Sequence, residues 1–128
     1  MNGDIKMPVY YFDHIHLNSP DPPQTAEFYE KYFGAKLIST NNMGSGRTTV
    51  KLSLNGTIIL VSTPLGDPSQ IGLDHFGIQT DDLGAAISEL KSRGVTFTQE
   101  KTEVKPNLTI SFLSAPDNVK IELQEGEL

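Results

Sequence analysis

The sequence lacks cysteine, any cluster of lysine or arginine, and any long run of apolar residues. Without cysteine, disulfides, thiolate zinc sites and cysteine nucleophiles are excluded. Sixteen acidic residues against ten basic ones give a net charge of −6, which repels polyanions, so we expect neither nucleic acid nor a membrane surface as a partner. The first ten residues, with Asp4 and Lys6, have no signal-peptide pattern, and no stretch reaches transmembrane length. These absences predict a cytoplasmic protein.

The composition is that of an ordinary globular domain. Of the 128 residues, 37% are hydrophobic and 20% are charged, which is too apolar for a disordered chain and enough for one core. We therefore expect a single domain over residues 1–128.

The chain repeats one pattern of residues, which is the first feature to settle in a fold prediction. Asp13-His14 recurs as Asp74-His75, and each copy continues into a helical pattern that ends at Gly34 or Gly94. Two tight turns, Asn55-Gly56 and Asp117-Asn118, join the last strands of each copy. The predicted helices span 25–33 and 83–93, and the strands after them span 35–40, 48–54, 57–62, 95–99, 109–114 and 119–124. The sequence thus predicts an α+β fold of two tandem βαβββ modules, about 9–63 and 73–125, joined by a loop over 63–72.

Strand alternation places polar side chains together on one face of the predicted strands. His14 and His16 share a face of the first strand, His75 takes the equivalent position in the repeat, and Glu122 lies on the polar face of the last strand. Imidazole and carboxylate together suit zinc, iron, manganese, nickel or cobalt. Alternatively, each histidine is a hydrogen-bonded structural residue.

The order of these motifs resembles the vicinal oxygen chelate superfamily, which includes glyoxalases, bleomycin resistance proteins and extradiol dioxygenases. Three segments carry the resemblance: Asp13-His14-Ile15-His16-Leu17, Asp74-His75-Phe76-Gly77-Ile78 and Pro116-Asp117-Asn118-Val119-Lys120-Ile121-Glu122-Leu123. The resemblance implies a cupped mixed sheet with helices packed outside and a divalent metal that binds adjacent oxygens of a substrate. It assigns His14, His75 and Glu122 as metal ligands. The fourth ligand of the glyoxalases would fall at Leu60, which cannot bind a metal.

The resemblance therefore implies a metal-dependent enzyme, either a lyase or isomerase or a dioxygenase, acting on a small oxygen-bearing substrate. The alternative is a non-catalytic binding protein of the bleomycin-resistance type. Besides Glu122, His16 is the candidate catalytic residue, as an acid–base group. The alternative is that His16 is only a hydrogen-bonding group in the cup. Because the cup mixes amides with apolar side chains, we expect an uncharged substrate with an apolar body. Arg47 either gates the cup or is a solvated loop residue, and we expect a homodimer.

Overall fold

The computed structural model describes residues 7–42 and 44–128. Residues 1–6, which include Asp4 and Lys6, and Met43 lie outside this part of the chain. No helix within the described ranges is long and apolar enough to cross a membrane. The elements confirm the predicted α+β order of two βαβββ modules: β1 (Tyr10–Asn18), α1 (Pro22–Phe33), β2 (Lys36–Asn42), β3 (Thr48–Leu54), β4 (Thr57–Ser62), β5 (Gly72–Thr80), α2 (Leu83–Ser92), β6 (Phe97–Lys105), β7 (Leu108–Ala115) and β8 (Val119–Gly126).

Contacts between residues group the chain into two compact units. One unit is Asp13–Phe76, in which the strand order is β2-β3-β4-β1, with the first residues of β5 next to β1. The other unit combines residues 7–12 with Gly77–Leu128, and its strand order is β5-β8-β7-β6. The strands β1 and β5 are thus each divided between the units, which sequence patterns did not reveal.

The core of the Asp13–Phe76 unit lies between α1 and one face of β1, β3 and β4. Apolar side chains alternate along these strands, as expected when one face of a sheet packs on a helix. The buried cluster consists of Ala26, Ala35, Val50, Leu52, Ile59 and Val61. Each fully buried Val, Leu or Ile contributes about 1.5–3 kcal/mol relative to exposure, so this face fixes the register that turns the polar residues to the other side.

Helix α1 begins earlier than the sequence indicated. Asp21 is the N-cap, its carboxylate accepts a hydrogen bond from the backbone N–H of Gln24 at 3.2 Å, and Pro22 occupies the first turn. Proline suits this position because the first N–H groups of a helix have no partner within the helix. The helix ends as predicted at Gly34, whose φ of 75° is left-handed.

Most aromatic side chains of α1 lie outside the core. Only Tyr29 packs against the core, whereas Phe28, Tyr32 and Phe33 are 51–62% exposed. The four rings instead contact one another along the helix, with centroids 5.0–6.5 Å apart. The buried residues of the helix are the small Pro22 and Ala26, so the helix lies close to the sheet.

The second unit has the same construction with different residues. Asp82 caps α2 by accepting a hydrogen bond from the N–H of Ala85 at 3.0 Å, and Glu125 of β8 accepts one from the N–H of Leu83 at 2.7 Å. The buried cluster consists of Leu83, Ala86, Ile87, Leu113 and Leu123. Opposite this core, β8 turns Lys120, Glu122 and Gln124 to its other face.

Candidate metal centre

The register of β1 places its histidines on the face opposite α1. In the parallel pairing with β4, His14 lies beside Ile58, His16 beside Leu60 and Asn18 beside Ser62. Leu17, between them in sequence, packs against the helix-side core. The predicted facing of His14 and His16 is therefore confirmed within this unit.

Each of the two Asp-His dipeptides forms the same hydrogen bond. Nδ1 of His14 lies 2.7 Å from Oδ2 of Asp13, and Nδ1 of His75 lies 2.7 Å from Oδ2 of Asp74. An ionised carboxylate can only accept, so Nδ1 carries the proton and donates it. In a neutral ring the lone pair is then on Nε2, which is the atom that such a histidine offers to a metal.

The two rings are buried and adjacent. His14 is 0% exposed and His75 is 6% exposed, and their ring centroids lie 5.7 Å apart in an edge-to-face arrangement. One potential ligand atom of His14 lies within 4.8 Å of one of His75, whereas two nitrogens bound about 2.1 Å from one ion are at most about 4.2 Å apart. The pair and its carboxylates therefore fit a divalent transition metal.

Asp74 also receives a second hydrogen bond, from the strand that carries the other histidine. Nδ2 of Asn18 donates to Oδ1 of Asp74 at 3.0 Å, while Oδ2 of Asp74 accepts from His75. The Asn18 amide thus fixes the carboxylate that orients the His75 ring. Metal-binding histidines commonly have such a carboxylate, which is itself hydrogen-bonded.

His16 has different surroundings from the other two histidines. Its Nε2 lies 2.9 Å from the hydroxyl of Ser62, and that hydroxyl lies 3.0 Å from the hydroxyl of Thr49. The His16 ring centroid is 4.8 Å from that of His75. A hydroxyl donates or accepts as required, so this chain of contacts is compatible with either protonation state of His16.

Lys51 is a residue of this face that sequence reasoning missed. It lies beside Leu60 in the pairing of β3 with β4, and Leu60 lies beside His16, so the three side chains form one row across the strands. The signal was present in β3, where Thr49, Lys51 and Ser53 alternate with the apolar residues that face α1.

Glu122 belongs to the unit formed by residues 7–12 and 77–128. It is only 8% exposed and lies beside Phe112 in the pairing of β7 with β8. On the same face, Nε2 of Gln124 donates to Oε1 of Gln79 at 3.1 Å. Burial of a carboxylate is costly unless the group is paired or coordinates a metal, so Glu122 requires a partner of one of these kinds.

Arg47 is half-buried and makes a hydrogen bond within the Asp13–Phe76 unit. Its Nε donates to the carbonyl of Thr63 at 3.1 Å and so ties the loop before β3 to the residue after β4. This hydrogen bond gives Arg47 a structural role, and the solvated and gating roles stay predictions.

The second unit contains an apolar cavity of about 340 Å³ on the α2 side of its strands. Its lining consists of Tyr10, Ile78, Leu90, Val95, Leu113, Ile121 and Leu123. Burial, with smaller effects of Glu89 and Asp81, raises the pKa of the Tyr10 phenol, and Arg93 opposes this shift. The lining contains no histidine and no carboxylate side chain.

Comparisons with known proteins agree with this geometry. The family model described as Glyoxalase/Bleomycin resistance protein/Dioxygenase superfamily matches residues 11–123. The mitochondrial methylmalonyl-CoA epimerase of Dictyostelium discoideum is 26% identical, over 94% of this chain and 81% of that protein. The lactoylglutathione lyase of Escherichia coli O157:H7 is 27% identical, over 88% of this chain and 90% of its own length.

Solved structures with the same fold include two bacterial proteins. A hypothetical protein from Bacillus halodurans C-125 superposes with a TM-score of 0.77 at 21% identity, covering 93% of this chain and 96% of its own. Methylmalonyl-CoA epimerase from Mycobacterium tuberculosis superposes with a TM-score of 0.73 at 24% identity, covering 91% and 88%. At these identities the likeness establishes the fold.

Proposed function

Because the chain belongs to the glyoxalase/bleomycin resistance protein/dioxygenase superfamily, we propose that it is a metal-dependent enzyme acting on a small oxygen-bearing molecule. The supporting observation is the pair of buried histidines whose Nδ1 atoms each donate to a neighbouring aspartate at 2.7 Å. That arrangement orients two rings toward one ion and sets their tautomer. The ion is a divalent transition metal: zinc, iron, manganese, nickel or cobalt.

In this proposal the protein ligands are His14, His75 and Glu122. Glu122 is chosen because the family's closing strand carries a ligand at the matching position and because its carboxylate is buried. Leu60, at the fourth position of the glyoxalases, contributes no donor, so three protein ligands leave positions for substrate oxygens.

When bound, the metal supplies Lewis-acid polarisation of a substrate carbonyl or hydroxyl. Within this chain, Asp13 and Asp74 hold the ligand rings, and Asn18 holds Asp74. His16 holds or moves a proton on its imidazole ring, and the Ser62 hydroxyl, 2.9 Å from Nε2, keeps the ring oriented. Glu122 is a second candidate proton carrier only if its metal bond weakens during the reaction.

We favour proton transfer at carbon over oxygenation. The curated relatives reported above are an epimerase and a lyase, and the histidine face includes a third imidazole 4.8 Å from the His75 ring. An imidazole has the pKa range that acid–base catalysis near neutrality needs. We further propose that the enzyme works in the cytoplasm on a free small molecule, without nucleic acid or membrane as partner.

Metal analysis of purified variants tests the ligand set. We expect stoichiometric divalent metal in the native protein at neutral pH, and loss of it in His75→Ala because one of three ligands is removed. His16→Ala is the matched control, since it removes an imidazole from the same face and should retain the metal. Asp74→Asn, which keeps the shape of the side chain, should weaken metal binding about 10–100-fold.

Two results would contradict the proposal. One is a native protein without metal, and the other is full occupancy in His75→Ala. A metal-free native protein that still binds small oxygenated molecules would favour the non-catalytic binding function.

A further inference from the structure

The two aspartates that orient the candidate ligand rings are held differently. Both oxygens of the Asp74 carboxylate have a donor: Oδ2 accepts from Nδ1 of His75 at 2.7 Å, and Oδ1 accepts from Nδ2 of Asn18 at 3.0 Å. Oδ2 of Asp13 likewise accepts from His14 at 2.7 Å, but no second donor to this carboxylate lies among residues 7–42 and 44–128. In the described part of the chain, the carboxylate beside His75 is therefore the one that is fixed from two sides.

The second copy of the repeat does not reproduce the contact from Asn18. Gln79 occupies the equivalent position in that copy. Its Nε2 donates to the backbone carbonyl of Thr80 at 3.4 Å, and its Oε1 accepts from Gln124 at 3.1 Å. The hydrogen bond from Asn18 to Asp74 is thus a feature of one copy, and the symmetry of the repeat does not account for it.

The Asn18 amide donates from a backbone that is itself held. Asn18 is the last residue of β1 and lies beside Ser62 of β4 in the parallel register. The backbone N–H of Ser19 donates to the carbonyl of Ser62 at 2.9 Å, which extends this pairing by one residue. An asparagine side chain is short, so its amide has little conformational freedom once the backbone is fixed.

The Asp74 carboxylate reaches water, whereas the ring that it orients is almost fully buried. The side chain of Asp74 is 26% exposed and that of His75 is 5% exposed. A neutral imidazole carries its proton on either nitrogen, and the hydrogen bond made by one nitrogen decides which of the two keeps a lone pair. A carboxylate that rotates toward water would release Nδ1 of His75, and Nε2 would then carry the proton in part of the molecules.

We propose that Asn18 is a positioning residue of the metal centre, which acts through Asp74 to keep Nε2 of His75 available to a divalent transition metal. This inference rests on the proposed metal-dependent function. It makes His75 the ligand whose ring is set before the ion arrives, so that less ordering is needed on binding. Asn18 itself contacts no ion in this role.

The test compares Asn18→Leu, which keeps the size of the side chain and removes the donor, with Asn18→Gln, which keeps the donor. Asn18→Ala is a second variant without a donor, in case leucine is not accommodated. Asn42→Leu is the matched control, because Asn42 accepts a hydrogen bond from the Thr48 hydroxyl at 3.1 Å and lies on β2, the strand furthest from β1 in this unit.

Nitrogen-15 NMR of the metal-free proteins, at a pH where the imidazoles are neutral, reports which ring nitrogen carries the proton. We expect His75 to be protonated at Nδ1 in the native chain and in Asn42→Leu, and to populate both tautomers in Asn18→Leu. His14 should keep its native pattern in every variant. Zinc affinity, measured against a competing chelator, should fall about 10-fold or more in Asn18→Leu and less in Asn18→Gln, while thermal midpoints stay near the native value.

An unchanged His75 pattern in both Asn18→Leu and Asn18→Ala, or equal changes at His14 and His75, would overturn the inference. So would a zinc affinity that Asn42→Leu lowers as much as Asn18→Leu does. The two proposals fail separately. A native protein that binds no zinc contradicts the metal-dependent function, whereas the NMR comparison decides whether Asn18 acts on the His75 ring, with or without zinc binding.

Discussion

His16 contacts a hydroxyl, whereas His14 and His75 each contact a carboxylate, and this difference separates their roles. A carboxylate stabilises a ring in one tautomer and suits a permanent ligand. The Ser62 hydroxyl, 2.9 Å from Nε2 of His16 and 3.0 Å from Thr49, adapts to either protonation state. On this difference we propose proton transfer for His16 and metal binding for the other two.

At Leu60 we expect a defect in one specific reaction. In four-ligand relatives a carboxylate at this position can move a substrate proton, and Leu60 cannot. The native, metal-loaded protein should therefore turn over the hemithioacetal of methylglyoxal and glutathione poorly. Leu60→Glu should raise that rate about 10-fold or more, since a positioned general base contributes about 10²–10⁴.

Ile58→Glu is the matched control for this prediction, because Ile58 lies on the same face of β4 beside His14. Robust native hemithioacetal turnover that is unchanged in His16→Ala would show that the missing ligand was misjudged. Catechol turnover that requires ferrous iron would instead favour oxygenation.

The sequence predicted the candidate ligands more easily than the residues around them. Asp13-His14 and Asp74-His75 stand out because they repeat, but the hydrogen bond from Asn18 to Asp74 joins residues far apart in the chain. Lys51 was overlooked because a single lysine among serines and threonines forms no basic cluster. Only the register with Leu60 places it in the row that contains His16.

Among the elements, those bounded by tight turns were predicted best. The limits of β3 and β4 are as expected because Asn55 and Gly56 both have positive φ, 51° and 98°, as the hairpin turn requires. Strand β6 is much longer than predicted because its exposed, polar residues show no alternation, and its pairing with β7 contains several register shifts. The start of α1 was missed because prolines in its first turn resemble a loop.

At the end of β8, Gly126 provides a stability prediction. Its φ is 108°, and a Cβ there would lie 1.7 Å from the carbonyl oxygen of Asn107, so an added methyl must displace the backbone of the neighbouring turn. Gly126→Ala should lower the free energy of unfolding by about 2 kcal/mol or more, combining left-handed strain with this clash. Urea denaturation measures the change.

Gly66→Ala is the control, since Gly66 also has a positive φ of 80° but no atom within 4 Å of the added Cβ. We expect Gly66→Ala to lower the free energy of unfolding by about 1 kcal/mol, the cost of a left-handed backbone at alanine. Equal losses of unfolding free energy in the two variants would show that the turn at Asn107 moves aside without a loss of stability.

At the scale of the whole molecule, exposed apolar surface predicts self-association. The 14.0 kDa chain exposes large apolar side chains on α1 and β2: Phe28, Tyr32, Phe33, Leu37 and Ile38, each at least 50% exposed. The rings of Phe28, Tyr32 and Phe33 contact one another along α1, and monomeric proteins rarely expose large contiguous apolar surface. We therefore expect a homodimer by light scattering at tens of micromolar, and a mass near that of one chain across a concentration series would contradict it.

The division of β1 between the two units has a consequence for the order in which the chain folds during synthesis. All of Asp13–Phe76 leaves the ribosome before Gly77, so that unit has its complete sequence early. Residues 7–12 emerge before Asp13, yet their unit is completed only by the last part of the chain. Bringing residues 7–12 to the last part of the chain closes a long loop, and local contacts do not offset the entropy lost in closing it. We therefore expect β1 to pair in two stages. Residues 13–18 pair with β4 early, and residues 10–12 join their unit only when the last part of the chain is present.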